Sequence, residues 1–211
     1  MARVLIALLL CVLIAAPAHA LRYEGTVIRA GAGFMFSDAQ YSFDGADRLE
    51  GDTQVGATAG VGTLWRVSRK SPWMLVLGLD WVQRGYSGTR ELPGFDPGPV
   101  EVDVLADYLS VPVFGRVHFL EDKLTVYALF GPSLEFRLSH DDDALLDEAK
   151  DFALGVNVGL GFEYEVARNR ALQLQLRYYL DLTDSWNGED DLYTITQQRY
   201  QALMVTGGFR F

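Results

Sequence analysis

The sequence contains a single cysteine, Cys11, within an apolar stretch near the N-terminus. A chain with one cysteine forms no internal disulfide and no cysteine-based zinc site. Lysine is nearly as scarce, since only Lys70, Lys123 and Lys150 occur, whereas 28 residues are acidic and the formal net charge is −10. A strongly acidic chain is a poor candidate for nucleic-acid binding, whose footprint is basic.

Long apolar runs are also absent, apart from Val4–Ala16. This run follows Arg3 and ends before Ala18-His19-Ala20, which is the order of a signal peptide with an A-x-A cleavage site. We expect cleavage after Ala20, so that residues 1–20 are a signal peptide, Cys11 is lost, and residues 21–211 form one domain. An uncleaved anchor helix is the alternative, but the run is short for a membrane span.

Beyond this segment, no long stretch has a helical period, whereas large apolar residues alternate with small or polar ones in eight segments. Such period-two alternation predicts half-buried β-strands. In the segment from residue 151 to 166, the intervening residues are mainly glycine and glutamate. The predicted strands are about Thr26–Phe36, Thr53–Arg66, Trp73–Tyr86, Val102–Phe119, Leu124–Ser139, Asp151–Val166, Ala171–Thr183 and Tyr200–Phe211.

The connections between these strands are short and long in turn. The long ones follow the first, third, fifth and seventh strands, at roughly Ser37–Asp52, Ser87–Glu101, His140–Lys150 and Asp184–Arg199. An up-and-down meander then has a short-turn end and a long-loop end, as outer-membrane barrels do. Residues 38–52, 87–103, 140–151 and 184–198 hold 19 acidic residues and three basic ones, so the long-loop end is strongly acidic.

The polar face of the alternation indicates which side of the sheet is enclosed. It is rich in glycine, which weakens an exposed strand but suits the narrow interior of an eight-stranded barrel. Its basic members are all arginine, the preferred base for enclosed ion pairs, and enclosed charges require partners. We therefore expect mutual pairing inside the barrel among Arg29, Arg66, Asp80, Arg84, Arg116, Glu135, Arg137, Glu163, Glu165, Arg177, Asp181 and Arg210.

The apolar face would then contact hydrocarbon, where a sheet must close without a free edge. Aromatic residues near both ends of the predicted strands suggest two membrane-interface girdles. At the short-turn end these are Trp65, Trp73, Phe119 and Phe211, and at the long-loop end Phe36, Tyr86, Phe136 and Trp186. A soluble lipocalin-like binding barrel, with its apolar face inside, is the alternative.

Several segments carry a family resemblance, namely GLDWVQRGYSG, YLSVPVFGRV, YALFGPSLEFRL, LQLRYYLDLTD and the terminal GGFRF. With them, residues 21–211 resemble the eight-stranded outer-membrane barrels of Gram-negative bacteria, the "porin family" β-barrel domain of OmpX- or OmpA-like architecture. The resemblance implies an all-β, eight-stranded antiparallel up-and-down transmembrane β-barrel in the cell outer membrane. It also implies contact with outer-membrane lipid and lipopolysaccharide, and recognition of the terminal Phe211 by the assembly machinery.

The function expected from this reading is non-enzymatic: a monomeric barrel with a structural role, or one that interacts with surfaces through its acidic loops. A small-solute channel and a lipid-modifying enzyme are the alternatives. For the enzyme, Ser139, His140 and Asp141–Asp143 are the only candidate grouping, but adjacent strand residues point to opposite faces. His118 is expected to be a hydrogen-bond partner in the lumen. The sequence assigns no catalytic, cofactor-binding or metal-binding residue.

Overall fold

The computed structural model describes residues 21–42, 51–68, 70–90, 100–120, 122–140, 151–183, 188–190 and 193–211. Within these ranges, no helix has both the length and the apolar character needed to cross a membrane. Eight long strands are β1 (Arg22–Ser42), β2 (Gln54–Arg66), β3 (Trp73–Arg90), β4 (Val100–Leu120), β5 (Leu124–His140), β6 (Phe152–Ala167), β7 (Arg170–Asp181) and β8 (Tyr193–Arg210). Two short strands, Gly51–Asp52 and Gly188–Asp190, pair with β3 and β8 respectively.

The long strands form one closed antiparallel sheet. Each strand pairs with the next along the chain, and β1 also pairs with β8, so that Val27 lies opposite both Gly62 and Arg210. Two backbone hydrogen bonds of 2.9 Å between Thr26 and Phe211 continue this seam to the end of the chain. Since the last strand closes on the first, the expected eight-stranded antiparallel barrel is confirmed.

The barrel places its apolar face outward. On β6, Val158 and Leu160 are 53% and 56% exposed, whereas the inward-facing Ala153 and Asn157 are 2% exposed. The other strands follow the same rule, so the outer wall carries most of the large aliphatic side chains. This arrangement is the reverse of a soluble lipocalin-like barrel, and it confirms the predicted orientation of the alternation.

The strands extend further toward the long-loop end than hydropathy predicts. β1 continues to Ser42 rather than ending at Phe36, and β8 begins at Tyr193 rather than Tyr200. The two strands remain paired throughout this extension. The predicted strands were too short because they were read from the apolar face, which ends before the backbone pairing does. Backbone hydrogen bonds between strands do not require apolar side chains.

Aromatic side chains lie on the outer wall at the short-turn end, as predicted. Trp73, Phe119 and Phe211 are exposed there, and Trp65 packs edge-to-face on Tyr23 with ring centroids 5.4 Å apart. Girdles of aromatic residues are typical of both membrane–water boundaries of such barrels.

At the long-loop end, Phe36 is exposed on the outer wall and Phe136 packs on Phe152 at 5.5 Å between ring centroids. The side chain of Tyr86 and residue Trp186, which the sequence also places in this girdle, lie outside the described parts of the chain. On β6, the apolar wall therefore extends from Phe152 to the short-turn end, and Val158 lies near its middle.

We predict that Val158→Arg costs about 2–4 kcal/mol of folding free energy in a lipid bilayer, the penalty for arginine at the midplane of a barrel's lipid face. Val166→Arg is the matched control because Val166 is on the same strand and face, with similar exposure, but near the short turn. It should cost less than about 1 kcal/mol. Urea-driven unfolding from phospholipid vesicles measures both values, and equal costs would show that the wall does not face hydrocarbon.

Candidate functional site

The middle of the barrel interior is built around one carboxylate, that of Asp80 on β3. Arg29 of β1 grips it with three hydrogen bonds, from Nε to Oδ1 at 3.0 Å and from one terminal nitrogen to Oδ1 and Oδ2 at 2.6 and 2.8 Å. Arg177 of β7 donates to Oδ2 from another side, at 3.2 Å. All three side chains are buried, so this cluster ties three strands together across the lumen.

A second cluster lies nearer the long-loop end, where Arg84 pairs with Glu135. The Tyr179 hydroxyl donates to the Glu135 carboxylate at 3.3 Å. The guanidinium carbon of Arg84 lies 3.8 Å from the centre of the Tyr179 ring, so the tyrosine contacts both members of the pair. The cluster fills the lumen on the long-loop side of Asp80 with polar groups, and within it Nε of Arg84 has no hydrogen-bond partner among the described residues.

A third cluster lies toward the short-turn end, where three side chains contact Glu163. Arg116 pairs with one of its oxygens, Gln173 donates to the same oxygen at 2.7 Å, and Nε of Arg210 lies 2.5 Å from the other. Arg116 also stacks on Tyr127, with 3.5 Å between its guanidinium carbon and the ring centroid. Two guanidiniums therefore share one buried carboxylate.

An apolar layer separates this third cluster from Asp80. Along β3 and β4, the inward-facing residues between the two clusters are apolar, including Met74, Val76 and Phe114. The layer consists of Val27, Leu64, Met74, Val76, Phe114, Tyr127 and Leu129, all buried. The described lumen is thus crossed successively by a polar cluster, an apolar layer and two more polar clusters.

Two tyrosine rings of the interior occupy the space that side chains would take on β6. A Cβ at Gly155 would lie 2.1 Å from the Tyr179 ring, and a Cβ at Gly161 would lie 2.2 Å from the Tyr127 ring. Such contacts are far inside van der Waals distance, so only glycine fits these positions. These two glycines are therefore required by the tyrosines of the neighbouring strands β5 and β7, whose rings lie over β6 inside the lumen.

A cavity of about 370 Å³ opens at the short-turn end, between the third cluster and the turns. Its inner part is bounded by Leu64 and Met74 of the apolar layer, and its outer part by exposed turn residues such as Asp122 and Lys123. The lining consists of Glu24, Leu64, Arg66, Met74, Arg116, His118, Asp122, Lys123, Thr125, Glu163, Glu165 and Arg210.

The predicted set of interior charges is largely confirmed, with one correction. Eight of them are buried, namely Arg29, Asp80, Arg84, Arg116, Glu135, Glu163, Arg177 and Asp181. Arg66, Arg137 and Arg210 are half-buried, and Glu165 is exposed at the cavity mouth rather than enclosed. At the level of Glu165 the lumen is open to solvent. Residues continue to alternate between inward and outward positions there, but the inward ones are no longer enclosed.

Sequence reasoning missed several interior partners. Glu24 pairs with Arg66 at 3.3 Å, although it precedes the predicted start of the first strand. Gln173 on β7 and Asn157, which donates to Ser133 at 2.9 Å, were not selected because they carry no charge. Both residues occupy inward-facing positions of the alternating pattern, and this is the signal that could have identified them.

The residues considered for catalysis do not form a described triad. The Ser139 hydroxyl donates directly to Asp107 at 3.0 Å, with no histidine between them. The side chain of His140 and residues Asp141–Asp143 lie outside the described parts of the chain. His118 lines the cavity, with its ring 6.2 Å from that of Tyr127. Among the described residues, no group of three or more potential ligands could hold a metal ion.

Comparison with known proteins gives one match over nearly the whole chain. The model of the family described as "Outer membrane protein beta-barrel domain" matches residues 6–210. No curated protein matches the chain at a significant level.

Solved structures with a similar fold share little sequence with the chain. One is the outer membrane protein OprG from Pseudomonas aeruginosa, with 13% identity, a TM-score of 0.49 and coverage of 89% of this chain and 95% of that one. Another is Neisserial surface protein A, with 16% identity, a TM-score of 0.46 and coverage of 88% and 97%. A third is the attachment invasion locus protein Ail of Yersinia pestis, with 16% identity, a TM-score of 0.41 and coverage of 89% and 99%.

We predict that Asp80→Asn destabilises the barrel by about 3–5 kcal/mol, because it leaves two buried guanidiniums without their ion-pair partner. The control is Asp151→Asn, which also removes a carboxylate from an arginine, Arg137, but at a site that is 89% exposed. That substitution should cost less than about 1 kcal/mol. Unfolding titrations in vesicles measure both, and a small loss for Asp80→Asn would refute the role given to the central cluster.

Proposed function

Because the chain belongs to the outer membrane protein β-barrel domain family, we propose that it is a non-enzymatic integral protein of the cell outer membrane. The chain would be exported, with its signal peptide cleaved after Ala20. Its role would be to support the membrane and to contact other surfaces through its acidic long loops. The observation that supports this proposal most strongly is a closed barrel whose outer wall is apolar and whose described lumen is filled.

The long-loop end would face the cell exterior, as the longer loops of bacterial outer-membrane barrels do. With 19 acidic and three basic residues in the long-loop segments, its contacts would be with cationic groups. These include basic partner surfaces, and divalent cations that bridge carboxylates to the phosphates of lipopolysaccharide. Neither contact requires a reaction centre.

Assembly would depend on the C-terminus. Phe211 is exposed on the outer wall, and its backbone forms the last two hydrogen bonds of the β1–β8 seam. A terminal aromatic residue of this kind is the feature that the assembly machinery of such barrels recognises, according to the resemblance noted above. We further propose a monomer, since each of the eight long strands in the described parts of the chain pairs on both sides within one chain.

Two alternative functions have less support from the described residues. A small-solute channel would require an open lumen, whereas the Asp80 cluster and the apolar layer cross it. A lipid-modifying enzyme would require a nucleophile aligned with a base, whereas Ser139 is hydrogen-bonded directly to Asp107. The proposal therefore retains surface contact as the function.

We predict opposite labelling of two single-cysteine variants, Asp142→Cys in the third long loop and Lys70→Cys in the first short turn. Cleavage of the signal would remove Cys11, so each mature variant carries one thiol. A membrane-impermeant maleimide should label the first on intact cells and the second only after lysis. The protein should also remain in the sarkosyl-insoluble fraction and migrate differently on gels before and after heating. Labelling of both thiols on intact cells, or a soluble mature chain, would contradict the proposal.

We also predict that the refolded barrel gives no large conductance steps in planar lipid bilayers. An eight-stranded barrel has an interior filled by side chains, whereas open porins use about sixteen strands. A sixteen-stranded porin measured in the same bilayers is the positive control. Steps of comparable size from this protein would favour the channel function instead.

A further inference from the structure

The charges of the short-turn cavity are separated by depth. The floor consists of Arg116, Arg210 and Glu163, and therefore carries one net positive charge. The other described charged residues of the lining are Glu24 and Arg66, which pair with each other at 3.3 Å, and the exposed Asp122, Lys123 and Glu165 at the mouth. Counting only the described residues, the mouth carries one net negative charge, and the lining as a whole has none when His118 is neutral.

The floor retains capacity to bind an anion. The Glu163 carboxylate is shared by both arginines and by Gln173, so the floor holds one guanidinium more than it has carboxylates. A carboxylate entering the cavity would supply the missing counter-charge.

The mouth offers charges that are not committed to ion pairs. Asp122, Lys123 and Glu165 are exposed and form no ion pair within the described parts of the chain. Two of these three are carboxylates. An ammonium group placed here would be close to several acceptors.

We propose that this cavity binds a small zwitterion, a free amino acid or a short peptide, with its carboxylate on the floor and its ammonium at the mouth. The volume lies in the range of roughly 300–1,000 Å³ typical of small-molecule sites. Leu64 and Met74 provide an apolar surface beside the floor, which a short aliphatic side chain would contact.

The charge balance distinguishes this ligand from simple ions. An anion such as inorganic phosphate is attracted by the floor but repelled by the mouth through which it must pass. A divalent cation is attracted by the mouth but repelled by the two arginines of the floor. Only a ligand that carries both charges, separated by a few bonds, complements both regions of the cavity.

The test is a titration of the full mature chain, isotopically labelled and refolded in detergent micelles, with L-alanyl-L-alanine. Saturable amide shifts confined to residues around the cavity, such as Lys123 and Thr125, are expected. N-acetyl-L-alanyl-L-alanine lacks the ammonium and L-alanyl-L-alaninamide lacks the carboxylate. Each should bind at least about tenfold more weakly, the effect of losing one charge-assisted hydrogen bond. Inorganic phosphate and magnesium should also bind about tenfold more weakly.

The double variant Asp122→Asn with Glu165→Gln tests the mouth, since both side chains are exposed and their replacement should not disturb folding. It should bind the dipeptide about as weakly as wild type binds the acetylated one. Asp151→Asn, a matched carboxylate-to-amide change at the opposite end, should leave binding unchanged. Absence of saturable shifts at millimolar dipeptide, or equal affinity for the blocked peptides, would overturn the proposal.

Discussion

The constraint from which the rest of the structure follows is that a sheet surrounded by hydrocarbon cannot have an edge. Every backbone donor and acceptor must find a partner within the sheet, and the seam between β1 and β8 supplies the last of them. Closure with eight strands fixes a narrow interior. Side chains that point inward must therefore fill a small volume, and charged ones must pair within it because water cannot reach all of them.

In the interior, large side chains pack against positions where glycine provides no side chain. Tyr127 and Tyr179 are among the largest fully buried side chains, and each ring lies where a glycine of β6 leaves out its side chain. Gly60 does the same for Asp80, since a Cβ there would lie 1.9 Å from a carboxylate oxygen. Glycine is abundant on the polar face, although it weakens a strand, because large side chains of the neighbouring strands occupy the space beside it.

The sequence predicted the number of strands, the outward face and most of the interior charges, because each depends on a local period or on residue type. It did not predict which charges pair. Arg29 is 51 residues from Asp80 and Arg177 is 97 residues from it, so the central cluster depends on the closure of the barrel and on its stagger. The same holds for the cavity, since alternation indicates that Glu165 points inward but not that the lumen is open at that level.

The distribution of basic residues connects the interior to the ends. Of the described basic residues, those buried in the lumen are all arginine, whereas Lys70 and Lys123 lie in exposed turns. A planar guanidinium can bind a carboxylate with two donors and stack on an aromatic ring, as Arg84 and Arg116 do, whereas an ammonium is more strongly hydrated and costs more to enclose.

In two of the three clusters, those around Asp80 and Glu163, guanidiniums outnumber carboxylates. Deep in the barrel this excess is sealed by packing, but around Glu163 it borders a cavity. The third cluster is therefore where the interior charge of the barrel can act on a molecule from outside.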